Sequence, residues 1–394
     1  MLYQSLFILG RLPAIGRTEL ESLYGTSHFE ALGDIAMAAD MPTERINFAR
    51  LGGSIKLGSV ISTADNASWP KIQTELIRAA VSAAKDIQEG KIQLGISAYG
   101  LKVNERQLLA AGLNIKKALR SQNRSVRLVQ NQEPALSSAQ SLHNHLAGER
   151  GIELIVVQNG SQIVIARLTD VQNITAYASR DQNRPKRDAR VGMLPPKLAQ
   201  TIINLGVGQL SPDSTVLDPF CGTGVILQEA LLMGYGAYGT DLEKRMINYS
   251  ETNLDWLKEK YGMQTAKFQL ETGDATEHTW QPLPDAIASE TYLGSPLSSW
   301  PKPDKLRDII GTCNVIIEKF LRNIGDQLPT GTRLCLAVPA WISPNGQIYH
   351  LPLLDHLEKI GYNRISFEHA RPEELIYSRP GQIVGRELLV ITRK

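Results

Sequence analysis

One stretch of this 394-residue sequence concentrates the residue types that could do chemistry: Val216-Leu217-Asp218-Pro219-Phe220-Cys221-Gly222-Thr223-Gly224. An apolar run ends there in an acid and turns through two glycines into a helical pattern. Such a turn lets the backbone approach a ligand closely while helix N–H groups face it, so a nucleotide-like cofactor is expected against Asp218, Phe220, Cys221, Gly222, Thr223 and Gly224. Dinucleotide binding through G-x-G-x-x-G would require a glycine where Leu227 stands, and the chain has no Gly-Lys-Ser/Thr of a P-loop. Two more acids follow apolar runs: Asp241, with Leu242 behind it, after Tyr238-Gly239-Thr240, and Asp274 in Gly273-Asp274-Ala275. A carboxylate at Asp241 could accept both hydroxyls of a ribose. Any one of these acids alone reads more readily as a helix N-cap or a surface turn; three in order, each at the carboxyl end of a successive strand, converge where open α/β sheets bind ligands.

The elements that must position these acids are legible from periodicity. After residue 190 the pattern alternates: helix 196–205, strand 215–218, helix 224–233, strand 236–240, helix 243–260, strands 267–271 and 285–289, helix 304–324, strand 332–338, helix 350–360, then strands 364–369 and 386–392. Seven strands with interleaved helices predict a doubly wound α/β sheet. Residues 1–68 read as a small α+β unit, with strands at 2–9, 34–38 and 45–51 and a helix at 14–24. Residues 69–170 alternate helix and strand: a helical stripe Ile72, Leu76, Ala80, Ala83, Ile87, a strand at 92–98, a helix at 104–122, a strand at 126–130 and a helix at 137–146. They end in a hairpin turning at Asn159-Gly160. Residues 171–190, with Arg180, Arg184, Lys186, Arg187 and Arg190, read as a basic linker or surface segment.

Composition sets outer limits. Apolar residues make up 42% and charged ones 21%, which excludes a disordered or collagenous chain. Cys221, Cys313 and Cys335 form neither a disulfide framework nor a zinc pattern, so a reducing compartment is expected and no metal. The run at Leu6–Leu9 meets Arg11 too soon for a signal peptide, and no apolar stretch approaches the roughly 18 residues of a membrane span. Net charge is +2, unevenly spread: residues 1–190 hold 23 Lys and Arg against 17 Asp and Glu, and the remainder 19 against 23. A basic front half fits contact with a polyanion, and unequal solvated surfaces fit equally. Lys102, Arg106, Lys116, Lys117, Arg120, Arg124, Arg127 and the 180–190 cluster are the candidate phosphate contacts. His143 and His145 read as surface histidines. Cys221 reads as a small filler within the turn, and no Pro-Cys dipeptide supports carbon-5 cytosine chemistry.

The acid-plus-glycine turn DPFCGTG resembles motif I of class I methyltransferases. Together with YASRDQNRPKRDARVGMLPPKLAQTIINL before it and the α/β unit preceding that, the chain resembles THUMP-domain tRNA methyltransferases of the archaeal and eukaryotic guanosine-10 N2 type. The resemblance implies S-adenosylmethionine as cofactor, with Asp274 and Ala275 at the adenine, and a seven-stranded Rossmann-like methyltransferase domain over 191–394. It further implies an N-terminal α+β domain at 1–68, a THUMP-like RNA-binding domain at 69–170, and tRNA or another structured RNA as partner. A cytoplasmic monomer is expected, with or without a small activating protein.

Methylating an exocyclic amine is demanding because its lone pair is delocalised into the base; acceptors on the amine must draw it out while an aromatic face holds the flipped base. The family does this with Asp-Pro-Pro-Tyr at the end of the fourth strand, where this chain has Ser289-Glu290-Thr291-Tyr292. Two registers arise: Ser289 to Tyr292 match end to end, the favoured one, or Glu290 replaces the Asp. Both prolines are absent either way. A non-catalytic RNA-binding protein, and an amino-methyltransferase of DNA adenine or protein glutamine, are the alternatives.

Overall fold

Along the chain come β1 (Ser5–Leu9), α1 (Pro13–Tyr24), β2 (Phe29–Leu32), β3 (Ala36–Ala39) and β4 (Ser54–Asp65). Then come α2 (Trp69–Ala83), β5 (Ile92–Tyr99), α3 (Glu105–Arg120), β6 (Val126–Leu128), α4 (Ser138–His143), β7 (Gly151–Asn159), β8 (Gln162–Val171) and α5 (Ile174–Gln182). The computed structural model describes residues 2–188 and 194–394; Arg190 and the boundary expected at 190/191 lie outside them. The chain divides into two units, one of Met1–Gly16, Ser27–Ala49 and Gly53–Ala176, the other of Arg17–Thr26, Arg50–Gly52 and Tyr177–Lys394. No helix among the described residues is long and apolar enough to cross a membrane.

The first unit holds one eight-stranded sheet in the order β2-β3-β1-β4-β8-β7-β5-β6. The sheet takes strands from both sides of residue 68, because β4 bonds to β1 on one edge and to β8 on the other. One face of the sheet takes α2 through Ile72, Leu76, Ala79, Ala80 and Ala83, and α3 through Leu108, Ala111, Ile115 and Leu119. Asn104 and Gln107 close the start of α3 as a reciprocal capping box, satisfying two helix-end donors at once. Gly160, at φ 59°, makes the β7–β8 hairpin turn.

The expected strand at 45–51 is instead two 3-10 turns, Thr43–Arg45 and Phe48–Arg50, and the long strand β4 lies just beyond it. Lys56 hides that strand from an apolar pattern. Its side chain is wholly buried, reaches the Glu153 carboxylate and donates to the Leu136 carbonyl at 2.7 Å, while Ser97 and Ser141 each donate to Glu153 at 2.6 Å.

The second unit adds α6 (Pro196–Val207), β9 (Thr215–Asp218), α7 (Val225–Leu232), β10 (Gly236–Asp241), α8 (Lys244–Tyr261), β11 (Phe268–Thr272), β12 (Ala286–Glu290) and α9 (Pro303–Gly325). It ends with β13 (Arg333–Ile342), β14 (Ile348–Tyr349), β15 (Tyr362–Arg364), β16 (Ile376–Tyr377) and β17 (Val384–Arg393). The strand order is β11-β10-β9-β12-β13-β17-β15, with β14 added to β13 and β16 to β17. The five strands from β11 to β13 run parallel, and β17 is antiparallel to its neighbours. From β9 the chain goes to β10 and β11 on one side and later to β12 and β13 on the other, so the carboxyl ends of β9 and β12 flank a topological switch point.

Helix α6 lies against β12 at Gly206, where a Cβ would stand 2.6 Å from the Ile287 carbonyl. The core gathers Trp280, Ile317, Phe320, Leu334, Leu336, Trp341 and Leu389. The helix expected at 350–360 is two 3-10 turns, Pro352–Asp355 and Leu357–Ile360, closed by Gly361 at φ 88°. Helix α5, in a stretch read as linker, buries Tyr177 and Arg180.

Candidate active site

Strand β9 delivers Asp218 to the switch point fully buried. Its Oδ1 accepts from the Phe220 amide at 3.2 Å and from the Ser289 hydroxyl at 2.6 Å. Burial pushes the carboxyl up to about 7, against the pull of those two hydrogen bonds, with Asp241 and Glu290 adding repulsion. The turn that follows needs glycine: Gly222 has φ 50° and Gly224 φ 81°, and a Cβ on Gly224 would meet Ser250 Oγ at 2.9 Å. Ser250 donates to the Gly222 carbonyl at 2.8 Å and Asn253 to the Thr223 carbonyl at 2.9 Å, so two side chains of α8 hold the turn from behind. Cys221 is buried, its amide donates to the Thr240 carbonyl, and desolvation raises its thiol well above the ordinary range, which suits a filler.

Asp241, at the end of β10, binds the same turn. Its Oδ2 accepts from the Gly222 amide and its Oδ1 from the Glu243 amide, both at 2.9 Å, and burial raises its pKa. Leu242 beside it is 69% exposed, an apolar surface at the mouth of the site. Asp274, beyond β11, accepts from the Thr276 amide and hydroxyl at 2.9 and 2.8 Å through Oδ1 and so caps its own turn; Ala275 is buried beside it. Phe220 meets Phe320 edge-on at 5.3 Å, and Phe320 is in turn edge-on to Trp280.

This donor set fits a nucleoside with hydroxyls, an amine and a cationic centre. Three acids would repel a pyrophosphate, whereas such a set can accept from sugar hydroxyls or a base amine and attract positive charge.

On the other side of the switch point, β12 ends in Ser289 and Glu290. Ser289 is wholly buried, with its hydroxyl committed to Asp218. Glu290 is paired with the guanidinium of Arg386 from β17; burial raises its pKa and Arg386 opposes that rise. Thr291 donates both its amide and its hydroxyl to the Ala337 carbonyl, fixing the strand end, and Tyr292 is 39% exposed. The acids and the turn are thus joined in pairs, Asp218 with Ser289 and Asp241 with Gly222, whereas Asp274 bonds within its own turn. Arg386 escaped sequence reasoning. Its signal was faint: adjacent charges, Arg386-Glu387, inside an apolar strand.

Several candidate phosphate contacts are occupied internally. Arg180 is buried and donates through Nε and Nη2 to Glu229 at 2.6 and 3.1 Å, so it is an internal ion pair. Arg124 donates to the Ala84, Ile87 and Gln88 carbonyls and closes the end of α2. Arg184 is buried as well. Lys102, Arg106, Lys117, Arg120 and Arg127 are exposed, and Lys116 is half-buried.

The Asp218 carboxyl gives a prediction for the cofactor-free protein. A carboxyl with a raised folded pKa stabilises the fold fully below its unfolded value and loses that contribution as pH rises toward about 7. Asp218→Asn should therefore match the wild type near pH 4 and exceed it above about pH 7, by up to about 4 kcal/mol for a shift of this size. Thermal unfolding across that range checks this, and parallel curves for the two proteins would contradict it.

A protein family described as DNA methylase matches residues 124–252. The tRNA (guanine(10)-N2)-dimethyltransferase of Methanothermobacter thermautotrophicus is 32% identical over 188 residues, 48% of this chain and 50% of that protein. The Pyrococcus abyssi protein of the same name is 37% identical over 99 residues, 25% of this chain and 26% of its own. The matches span half or less of the length of these relatives. Among solved structures, TrmN from Thermus thermophilus aligns over 100% of this chain and 99% of its own, with a TM-score of 0.52 and 18% identity, and so shares the fold.

Proposed function

We propose that this chain is an S-adenosylmethionine-dependent methyltransferase that methylates the exocyclic N2 amine of a guanosine in tRNA. The observation that carries the reading is the glycine turn after β9, with Asp218 at its start and the Asp241 carboxylate bonded to its Gly222 amide, at the switch point where β12 ends in Ser289 and Glu290. The partial likeness to tRNA (guanine(10)-N2)-dimethyltransferases supports the substrate class.

S-adenosylmethionine supplies an activated methyl group, and the protein's part is positioning and exclusion of water. Asp241 accepts from the ribose hydroxyls, Asp274 from the adenine amine, and Gly222 and Gly224 leave room for the cofactor. Phe220, Leu242 and Ala275 cover its apolar surfaces, with Cys221 and Thr223 shaping the turn. Tyr292 stacks on the flipped base, and an acceptor at the end of β12 takes a hydrogen bond from the target amine. Residues 69–170 act as a THUMP-like RNA-binding module continuing from the 1–68 segment; of the described cations in 171–190, Lys186 and Arg187 are the exposed ones and contact phosphate. The exposed cations Lys102, Arg106, Lys117, Arg120 and Arg127 contact phosphate, so binding weakens steeply with salt.

The family described as DNA methylase favours a second reading, an amine of DNA as acceptor. Transfer of a labelled methyl group to bulk tRNA and to duplex DNA, side by side, separates them. Label is expected in tRNA. Label in DNA alone would overturn the substrate class, and label in neither, with cofactor bound, would overturn the enzymatic reading.

A further inference from the structure

Building on that reading, we propose that Glu290, rather than Ser289, is the acceptor for the target amine, and that Arg386 is its positioning residue. Ser289 is poorly placed for the role: it is wholly buried, and its hydroxyl proton is given to Asp218 at 2.6 Å. Glu290 is the next residue out on β12. Its Oε1 takes the Arg386 Nε–H, its other oxygen has no hydrogen-bond partner among the described residues, and its side chain keeps 15% exposure. The free oxygen is the one left for a ligand.

Arg386 cannot drift away from this task. Its backbone sits inside the sheet, paired to Pro339 of β13 on one side and to Tyr377 of β16 on the other, and its side chain is 6% exposed. Burial would otherwise press the Glu290 carboxyl to take up a proton, and in that state it is a weak acceptor. The guanidinium from β17 is the group that opposes this; the charged groups facing Glu290 are Arg386 from β17 and Asp218 from β9. In the transfer, the amine nitrogen's lone pair forms the new N–C bond as the C–S bond breaks with its electron pair passing to sulfur. The proton then shed by the amine passes to Glu290, whose ionised state Arg386 maintains before the step.

The test is the pH profile of single-turnover methyl transfer to tRNA by the full chain, for wild type, Arg386→Met, Arg386→Lys, Glu290→Gln and the Arg386→Met/Glu290→Gln double variant. Cofactor affinity by calorimetry is the control for an intact fold. We expect Arg386→Met to lower the rate by up to about tenfold on the acid limb, with recovery at high pH as that limb moves up by about a unit, and with cofactor affinity within about threefold. Arg386→Lys should keep the limb in place at a reduced rate. The double variant should be no worse than Glu290→Gln, because Arg386 acts through Glu290. An unmoved acid limb in Arg386→Met, or a loss that adds in full to that of Glu290→Gln, overturns the inference while leaving the function intact. If Arg386→Met yields no folded protein, the same profile on Arg386→Gln decides. A wild type that binds cofactor but transfers nothing to tRNA overturns the reading of the function and this inference with it.

Discussion

Asp241→Ala should weaken S-adenosylmethionine binding by about 100-fold or more while the protein stays folded. The carboxylate has two tasks. It accepts the Gly222 and Glu243 amides at 2.9 Å each, which sets the path of the turn, and in the proposed complex it also accepts from the ribose hydroxyls. Hydrogen bonds to a charged acceptor contribute roughly 1.5–3 kcal/mol each, so two lost contacts correspond to about 3 kcal/mol or more. Asp241→Asn keeps one acceptor oxygen and should fall between the two. Calorimetric titration of the three proteins measures this directly, with far-UV circular dichroism as the folding control. Affinities within about threefold of one another would remove Asp241 from the cofactor site.

The second large effect is on stability, in the first unit. Lys56→Met should destabilise the protein by about 3–5 kcal/mol, because Glu153 is then left as a charge with no cationic partner in a fully buried position. Burial lowers the Lys56 pKa, and Glu153 is the group that opposes this, so each member of the pair depends on the other. Ser97 and Ser141 both donate to Glu153 and cannot neutralise it. The double change Lys56→Met/Glu153→Leu removes both charges and should recover most of the loss, as apolar replacements of buried ion pairs do elsewhere. Denaturant unfolding of wild type, single and double variants gives the comparison. A double variant as unstable as the single one would mean that the network, rather than the charge imbalance, carries the stability.

Local signals were the legible ones. The glycine turn of 218–224 and the acids at 241 and 274 follow from an apolar run ending in a polar residue, which is read within a few positions, and the stripes of α2 and α3 follow from helical spacing. What depended on distant partners was not legible. Strand β4 carries a buried lysine whose carboxylate lies 97 residues on, and no element was expected over its residues. Arg180 sits in a basic stretch that suggests a solvated surface, yet Glu229 on α7 draws it inside. The register at 289–292 was open because spacing cannot say which way a hydroxyl donates. In the fold Ser289 turns to Asp218 and Glu290 to Arg386, 96 residues away. Between Pro352 and Gly361 the chain takes two 3-10 turns in place of the α-helix its apolar spacing suggested.

The most direct test of the central claim is nucleoside mass spectrometry of bulk tRNA after incubation with the protein and S-adenosylmethionine bearing an isotopically labelled methyl group. The account predicts label in N2-methylguanosine or its dimethyl form, lost in Asp241→Ala. Label in N6-methyladenosine, or tRNA without label under conditions where the cofactor is bound, would contradict it.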